Sequence, residues 1–261
     1  YEKDGIKKED IIVKMEKMSK SKANGVDPAE IIELFGADAV RIFVMFVAPP
    51  EKDKEWSDEG VKGSARFLNR IWNLFLKYKD EEAFKNAKSF DYNNLSKEGQ
   101  KLFRKYNKTI KKVTIDIKDR FHFNTAIASL MELLNDMSAI KLANNDDYAM
   151  FREVIRGYLI LLNPIAPHIT EEIYQILNFG KMILEERWVE HNEEYCKDDT
   201  FELVFQVNGK IRDRIEADVN ISEEDAKNQA LSSEKVRAFT EGKNIIKVVY
   251  VKGKLVNIVI K

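Results

Sequence analysis

The sequence predicts a mainly α protein with a small α+β domain: an antiparallel helical bundle followed by a β-β-α-α-β-β C-terminal domain. Three observations predict it. Apolar residues recur at helical spacing from about residue 57 to residue 180. The connections between those stretches are short, as in a bundle. After residue 200 the period falls to two, and Asn208-Gly209 separates two alternating runs, the signal of a two-residue hairpin.

Composition bounds the rest. At about 150 residues per domain, 261 residues suggest roughly 1.7 domains, long enough to form a core without a disulfide or metal staple. With 44% apolar and 33% charged residues the chain reads as soluble and globular. No stretch approaches the roughly 20 apolar residues of a membrane span, and no signal-peptide pattern opens the chain. Cys196 is the sole cysteine, and His122, His168 and His191 are scattered, which excludes an internal disulfide and argues against a zinc site. The expected compartment is the cytoplasm. The chain opens on Tyr1 rather than Met, which fits a fragment or a processed piece. A net charge of −1 conceals strong patterning: residues 62–121 hold 16 basic against 7 acidic side chains, residues 122–200 hold 6 against 14.

The elements follow in order. Residues 1–26 are polar around Ile11-Ile12-Val13 and read as a strand or loop edge leading into a Lys/Ser/Gly-rich loop. Asp27, Pro28 and Glu30 mark a helix start as N-cap, first helical residue and capping-box acid, and Gly36 ends that helix. Residues 38–47 form a second helix, stopped by Pro49-Pro50. A longer helix runs from Ser57 to about Tyr78, with Val61, Ala65, Leu68, Trp72 and Phe75 on one face. Residues 80–95 read as a polar connection. Residues 96–118 form a long helix whose apolar face carries Phe103, Tyr106, Ile110, Val113 and Ile117. Asn124 is expected to cap the next helix, residues 147–162 form another that breaks at Asn163-Pro164, and a last helix follows Pro167 to near Gly180. In the tail, residues 222–241 hold two short helices, and residues 245–251 and 255–260 are strands around Gly253.

Chemistry concentrates in Lys17-Met18-Ser19-Lys20-Ser21. Lys17, Lys20 and Lys22 with two hydroxyls precede a helix N-terminus, and such a loop can move against a triphosphate and neutralise charge on leaving pyrophosphate. Five fixed residues arise by chance in a chain of this size on the order of once in 10⁴ sequences. The loop resembles the KMSKS signature of class I aminoacyl-tRNA synthetases. Lys22-Ala23-Asn24-Gly25-Val26-Asp27-Pro28 and Gly36-Ala37-Asp38 look like the branch for leucine, isoleucine and valine. Ala48-Pro49-Pro50-Glu51-Lys52-Asp53, Glu55-Trp56-Ser57-Asp58, Phe205-Gln206-Val207-Asn208-Gly209-Lys210 and Gly253-Lys254-Leu255-Val256-Asn257 are similar to bacterial-type leucyl-tRNA synthetases. The resemblance covers the whole chain.

That resemblance implies a C-terminal part, or a small subunit, of an enzyme that attaches leucine to its tRNA with ATP and Mg²⁺. Lys20 would be the main ATP-phosphate contact, and Lys17, Met18, Ser19 and Ser21 would complete the loop. The family's HIGH signature, dinucleotide-fold body, leucine pocket and editing domain are absent from these residues, so the chain alone is expected to be inactive and to need an N-terminal catalytic part, in the same chain or a separate subunit. No resident metal, membrane or DNA partner is expected. The isoleucyl and valyl enzymes are the alternatives within the branch, and a free-standing RNA-binding protein is the alternative outside it.

Two basic patterns are candidates for tRNA contact. On helix 96–118, Lys101, Lys105, Lys108 and Lys112 step by three and four opposite the apolar face, broadened by Arg104 and Lys111. This suits a phosphate backbone, and it equally suits a solvated helix face. On the first hairpin, Lys210, Arg212 and Arg214 occupy alternate positions, which predicts one shared face with Ile211 and Asp213 on the other. His168 reads as structural, at a helix start opened by Pro167. The expected divisions are residues 1–56 (signature loop and stem-contact helices), 57–184 (anticodon-binding-type bundle), 185–200 (acidic linker) and 201–261 (tRNA-contacting domain). The apolar stretch 38–50 with Trp56 is expected to leave an exposed apolar patch from a former domain interface.

Overall fold

A computed structural model describes residues 16–22, 24–197, 200–219 and 221–261, with backbone only for Lys20 and Thr200. The expected strand or loop edge at Ile11-Ile12-Val13 lies outside these residues. The chain divides into two compact units, Tyr1–Asn192 and Glu193–Lys261. It is mostly helical, with one small mixed sheet.

The first unit begins its helices as the sequence dictates. α1 (Pro28–Phe35) starts where Asp27 Oδ1 accepts from Ala29 N–H at 2.9 Å, and it ends at Gly36, whose φ of 82° only glycine adopts easily. α2 (Ala37–Phe46) follows at once. α3 (Asp58–Leu76) is capped by Ser57 Oγ and α5 (Lys97–Ile115) by Ser96 Oγ, each three residues before the amide it accepts from. The core gathers Ile71, Phe75, Ile110, Ile127, Leu130, Phe151, Ile155 and Tyr158, with Phe75 and Tyr158 packed edge to face at 5.4 Å.

Several elements depart from the sequence reading. The connection 80–95 contains α4 (Glu82–Asn86) and a 3₁₀ turn at Tyr92–Asn94. The reason is Phe84: it is buried against Tyr78 and Phe179, and one inward ring orders a short polar segment. Helix 96–118 stops as an α-helix at Ile115 and continues as a single π turn, Asp116–Arg120. Asn124 does not cap α6 (Phe123–Ala139); His122 holds the cap position without a side-chain bond. Thr125 turns back instead, donating to Asp116 Oδ2 at 2.6 Å and to His122 O at 2.9 Å. α7 (Asn145–Leu162) begins two residues earlier than expected because Asn144 Oδ1 accepts from Asp147 N–H. α8 (Pro167–Ile176) ends before Asn178, whose φ is 54°. The stretch expected as linker is not free up to Asn192: Trp188 Nε1 donates to Thr114 Oγ1 at 2.8 Å and Asn192 N–H to Asn107 Oδ1 at 2.8 Å, both on α5.

The second unit runs β1 (Thr200–Val207), β2 (Lys210–Asp218), α9 (Glu223–Ser232), α10 (Glu234–Thr240), β3 (Ile245–Val251) and β4 (Leu255–Ile260). The sheet order is β2-β1-β4-β3, with β1 and β4 parallel and the outer pairs antiparallel. Leu203, Phe205 and Val207 meet Val256, Ile258 and Ile260, and Ala226, Ala230 and Val236 of the two helices cover them. Asn208 and Gly209 have φ of 48° and 77°, as a type I′ turn requires. The Asn208 side chain also donates to Ile260 O and accepts from Ile260 N–H, joining the hairpin tip to the central strand β4.

Candidate functional site

The signature loop holds itself together with short polar contacts. Asn24 Oδ1 accepts from Ser19 N–H at 2.9 Å, and Asn24 Nδ2 donates to Lys17 O at 3.4 Å. Lys20–Lys22 close a 3₁₀ turn in which Lys22 N–H reaches Ser19 O at 3.2 Å. The Ser19 and Ser21 hydroxyls lie 3.3 Å apart. Lys17, Met18 and Ser21 are exposed and Ser19 is half-buried. Lys22 is engaged with Glu16 at 3.0 Å, a half-exposed pair that contributes little to stability. Asn24 is the residue that sequence reasoning passed over. The available signal was its position: an amide side chain five residues after Ser19, before a glycine, is short enough to fold back onto the loop.

The loop leads through α1 into α2, and α2 is fastened to the α7–α8 elbow. Asp38 is only 6% exposed. Its Oδ2 accepts from Ile169 N–H at 2.8 Å, and its Oδ1 lies 2.7 Å from His168 Nδ1. Asp38 thus caps α8 from 131 residues away. Arg41 completes the clasp: Nε donates to Ile165 O and Nη2 to Pro164 O, each at 2.9 Å. The Pro164 and Ile165 carbonyls and the Ile169 N–H, left open where the chain turns from α7 into α8, are therefore satisfied by α2. His168, largely exposed, meets α2 through this bond.

The outer faces of α1 and α2 carry exposed Ile32, Leu34, Val44, Phe46 and Val47, while Ala39, Ile42 and Phe43 are buried. Part of the stretch 38–50 therefore presents apolar side chains to solvent. Trp56 instead packs edge to face on Phe43 at 5.1 Å.

The basic stripe on α5 is partly committed within the chain. Lys105 pairs with Glu132 at 2.8 Å, which holds the Glu132 carboxyl below the usual range. Lys112 pairs with buried Asp116 at 2.8 Å. Arg104 Nε donates to the Tyr92 hydroxyl at 2.7 Å and its guanidinium lies over that ring. Lys101 is exposed and Lys108 half-buried. A second concentration of cations, around a cavity of about 300 Å³ lined by Lys88, Phe90, Arg152 and Arg156, is also structural. Arg152 lies over the Phe84 and Phe179 rings, and Arg156 is bonded to Glu186. Burial, with the hydrogen bond to Glu186, pushes the Tyr174 hydroxyl up to about 12.

The first hairpin corrects the expectation of one basic face. A bulge between Phe205 and Gln206 slips the register, so that Asp213 opposes Phe205 and Ile211 opposes Gln206. Arg212, the extra residue, turns to the helix layer and lies 3.6 Å over the Phe239 ring. Asp213 is also on that side, bonded to Ser233 and Lys235; these bonds and the Arg214 amide hold its carboxyl down at about 2. Arg214 stays outside and pairs with Glu202 at 2.8 Å. Lys210 is exposed at the turn. Among the described residues no group of three or more His, Cys, Asp or Glu side chains is arranged to hold a metal, and no helix is long and apolar enough to cross a membrane.

Comparison with known proteins gives consistent matches. Residues 11–57 match the family of class I tRNA synthetases for isoleucine, leucine, methionine and valine, and residues 99–227 match the anticodon-binding domain of tRNA ligases. The whole chain is 93% identical to a leucine–tRNA ligase of Brachyspira hyodysenteriae and spans 31% of that protein. It is 46% identical over 245 residues to that of Geotalea uraniireducens, covering 94% of this chain and 30% of the relative. A crystal structure of an Agrobacterium radiobacter LeuRS–tRNA–LeuAMS ternary complex aligns with a TM-score of 0.74 at 29% identity, covering 94% of this chain and 32% of that one. The chain thus spans about a third of the length of these relatives.

Proposed function

We propose, on the premise that this chain belongs to the leucine–tRNA ligase family it matches along its whole length, that it supplies the signature loop and the tRNA-binding domains for ATP-dependent attachment of leucine to tRNA. The observation that carries the reading is the continuity from loop to bundle: Asn24 pins the loop, and Asp38 and Arg41 fix the helix pair that follows it to the α7–α8 elbow. A signature loop on so firm a base can present cations and hydroxyls at a set position.

In this reading Lys17, Ser19, Lys20 and Ser21 take the phosphates of ATP, and Met18 completes the loop. Two lysine charges and two hydroxyls within a short loop suit phosphate oxygens. Mg²⁺ would accompany the nucleotide. The residues of the bundle, an anticodon-binding-type domain, would hold tRNA through Lys101, Arg104, Lys105, Lys108 and Lys112, and the C-terminal unit through Lys210 and Arg214; Arg212, turned onto the Phe239 ring, is left out of that surface. The pairs with Glu132, Asp116 and Glu202 support a positioned role for Lys105, Lys112 and Arg214, as in-chain partners fix where their charge sits. The catalytic body of the enzyme is the remaining partner, and the site of action is the cytoplasm.

Binding of the purified chain to leucine tRNA and to an unrelated tRNA, at two salt concentrations, tests the reading. Salt-sensitive binding that prefers leucine tRNA is the expected result. No binding to either at low salt would overturn the assignment of these surfaces. In the full-length enzyme, Lys20→Ala is expected to cut ATP–pyrophosphate exchange about a hundredfold or more while leaving tRNA binding intact.

A further inference from the structure

The C-terminal end of α5 is built in a costly way. Asp116–Arg120 wind as one π turn, and Asp116 O accepts from both Phe121 N–H and His122 N–H. Phe121 then sits at φ 55° and ψ 30°, a left-handed conformation that disfavours a bulky side chain. Glycine or asparagine would hold this helix end without strain. The ring is 61% exposed, meeting Phe123 edge on at 6.2 Å. So the turn places an aromatic ring in solvent at a position whose backbone favours the absence of one.

The turn is also held rigidly. Asp116 is buried and takes hydrogen bonds from Thr125 and Lys112, with Arg120 at 3.8 Å. Lys118 and Arg120, within three residues of Phe121 in the chain, are exposed, Lys112 is half-exposed one turn back, and Asp119 is the exposed acid of the turn. A protein partner would seek a wider apolar surface; here one exposed ring lies on a turn that also carries exposed Lys118 and Arg120. That combination suits an unstacked nucleobase flanked by phosphates.

We infer that Phe121 is a stacking platform for an unpaired base of the RNA that the first unit binds, with Lys118 and Arg120 taking the adjoining phosphates. The inference rests on the reading of this unit as tRNA-binding and deepens it: it names the residue that meets a base rather than the backbone. Backbone strain at an exposed position, retained with an aromatic side chain, is the pattern expected where function sets the residue.

The test separates stability from binding. In the 261-residue chain, Phe121→Gly and Phe121→Asn relieve the left-handed strain, so the melting temperature is expected to rise by about 2–4 °C. The same variants are expected to weaken leucine-tRNA binding about tenfold or more, at an unchanged salt slope, since stacking releases no counterion. Phe121→Trp is expected to bind as tightly as the parent, and Phe121→Leu to bind weakly despite its apolar bulk. Lys118→Gln is expected to lower the salt slope instead. Binding by Phe121→Gly and Phe121→Asn within twofold of a parent chain that binds would overturn the inference and leave the tRNA reading standing. A parent chain that binds no tRNA at low salt would overturn both.

Discussion

Replacing Asp38 by alanine should loosen the elbow between α7 and α8. The magnitude follows from its two contacts. Ile169 is the third residue of α8, and its N–H lacks an intrahelical acceptor there, so Asp38 Oδ2 acts as the helix cap. Losing a cap costs about 1 kcal/mol. The bond to the largely exposed His168 ring adds roughly 0.5–1 kcal/mol. The expected loss is therefore about 2 kcal/mol, and Asp38→Asn, which keeps one acceptor oxygen, should lose about half of that. Urea unfolding followed by tryptophan fluorescence reads this cleanly. All three tryptophans, Trp56, Trp72 and Trp188, lie before Glu193, so the signal reports the first unit alone. A loss below about 0.5 kcal/mol for Asp38→Ala would refute the capping argument.

Three further outcomes follow from other contacts. Gly157→Ala should destabilise the first unit by about 1–3 kcal/mol in the same assay, because a methyl group there would overlap the Tyr106 hydroxyl and lie 2.6 Å from Tyr106 Cζ. Burial raises the Asp116 carboxyl, but the hydrogen bonds from Lys112 and Thr125 and the charges of Lys112 and Arg120 outweigh it and hold the group below its ordinary value of 3.8. Its contribution is thus complete above that value and fades as pH falls through the lower folded value; the gap between parent and Asp116→Asn should be widest near neutral pH and close in acid. Asn24→Ala in the full-length enzyme should raise the KM for ATP severalfold while tRNA binding is unchanged; equal ATP kinetics would mean the loop needs no clamp.

What the sequence made legible was local chemistry. The cap Asp27 sits two residues from the amide it satisfies, and the Asn208-Gly209 turn needs only its own φ values. The signature loop was legible because its identity is contiguous. What escaped notice acts at a distance or by a count of one. Asp38 finds Ile169 across 131 residues, which no period reveals. Phe84 orders α4 because its pocket is built by Tyr78 and Phe179, not by its neighbours in sequence. A single bulged residue moved Arg212 from the face that alternation assigns to it. The π turn after Ile115 likewise shifted the start of α6.

The parallel pairing of β1 with β4 bears on how the second unit comes into being. Val204 meets Leu255 and Val207 meets Ile258 at the centre of the sheet, so the first strand made must wait for the last. Until β4 arrives, the β1–β2 hairpin has an open inner edge, and Leu203, Phe205 and Val207 lack Val256, Ile258 and Ile260 beside them. A growing chain cannot complete this unit stepwise; it closes in one event, with the Asn208 side chain meeting Ile260 as the sheet completes. Synthesis halted before Leu255 would therefore leave a sticky hairpin rather than a smaller domain.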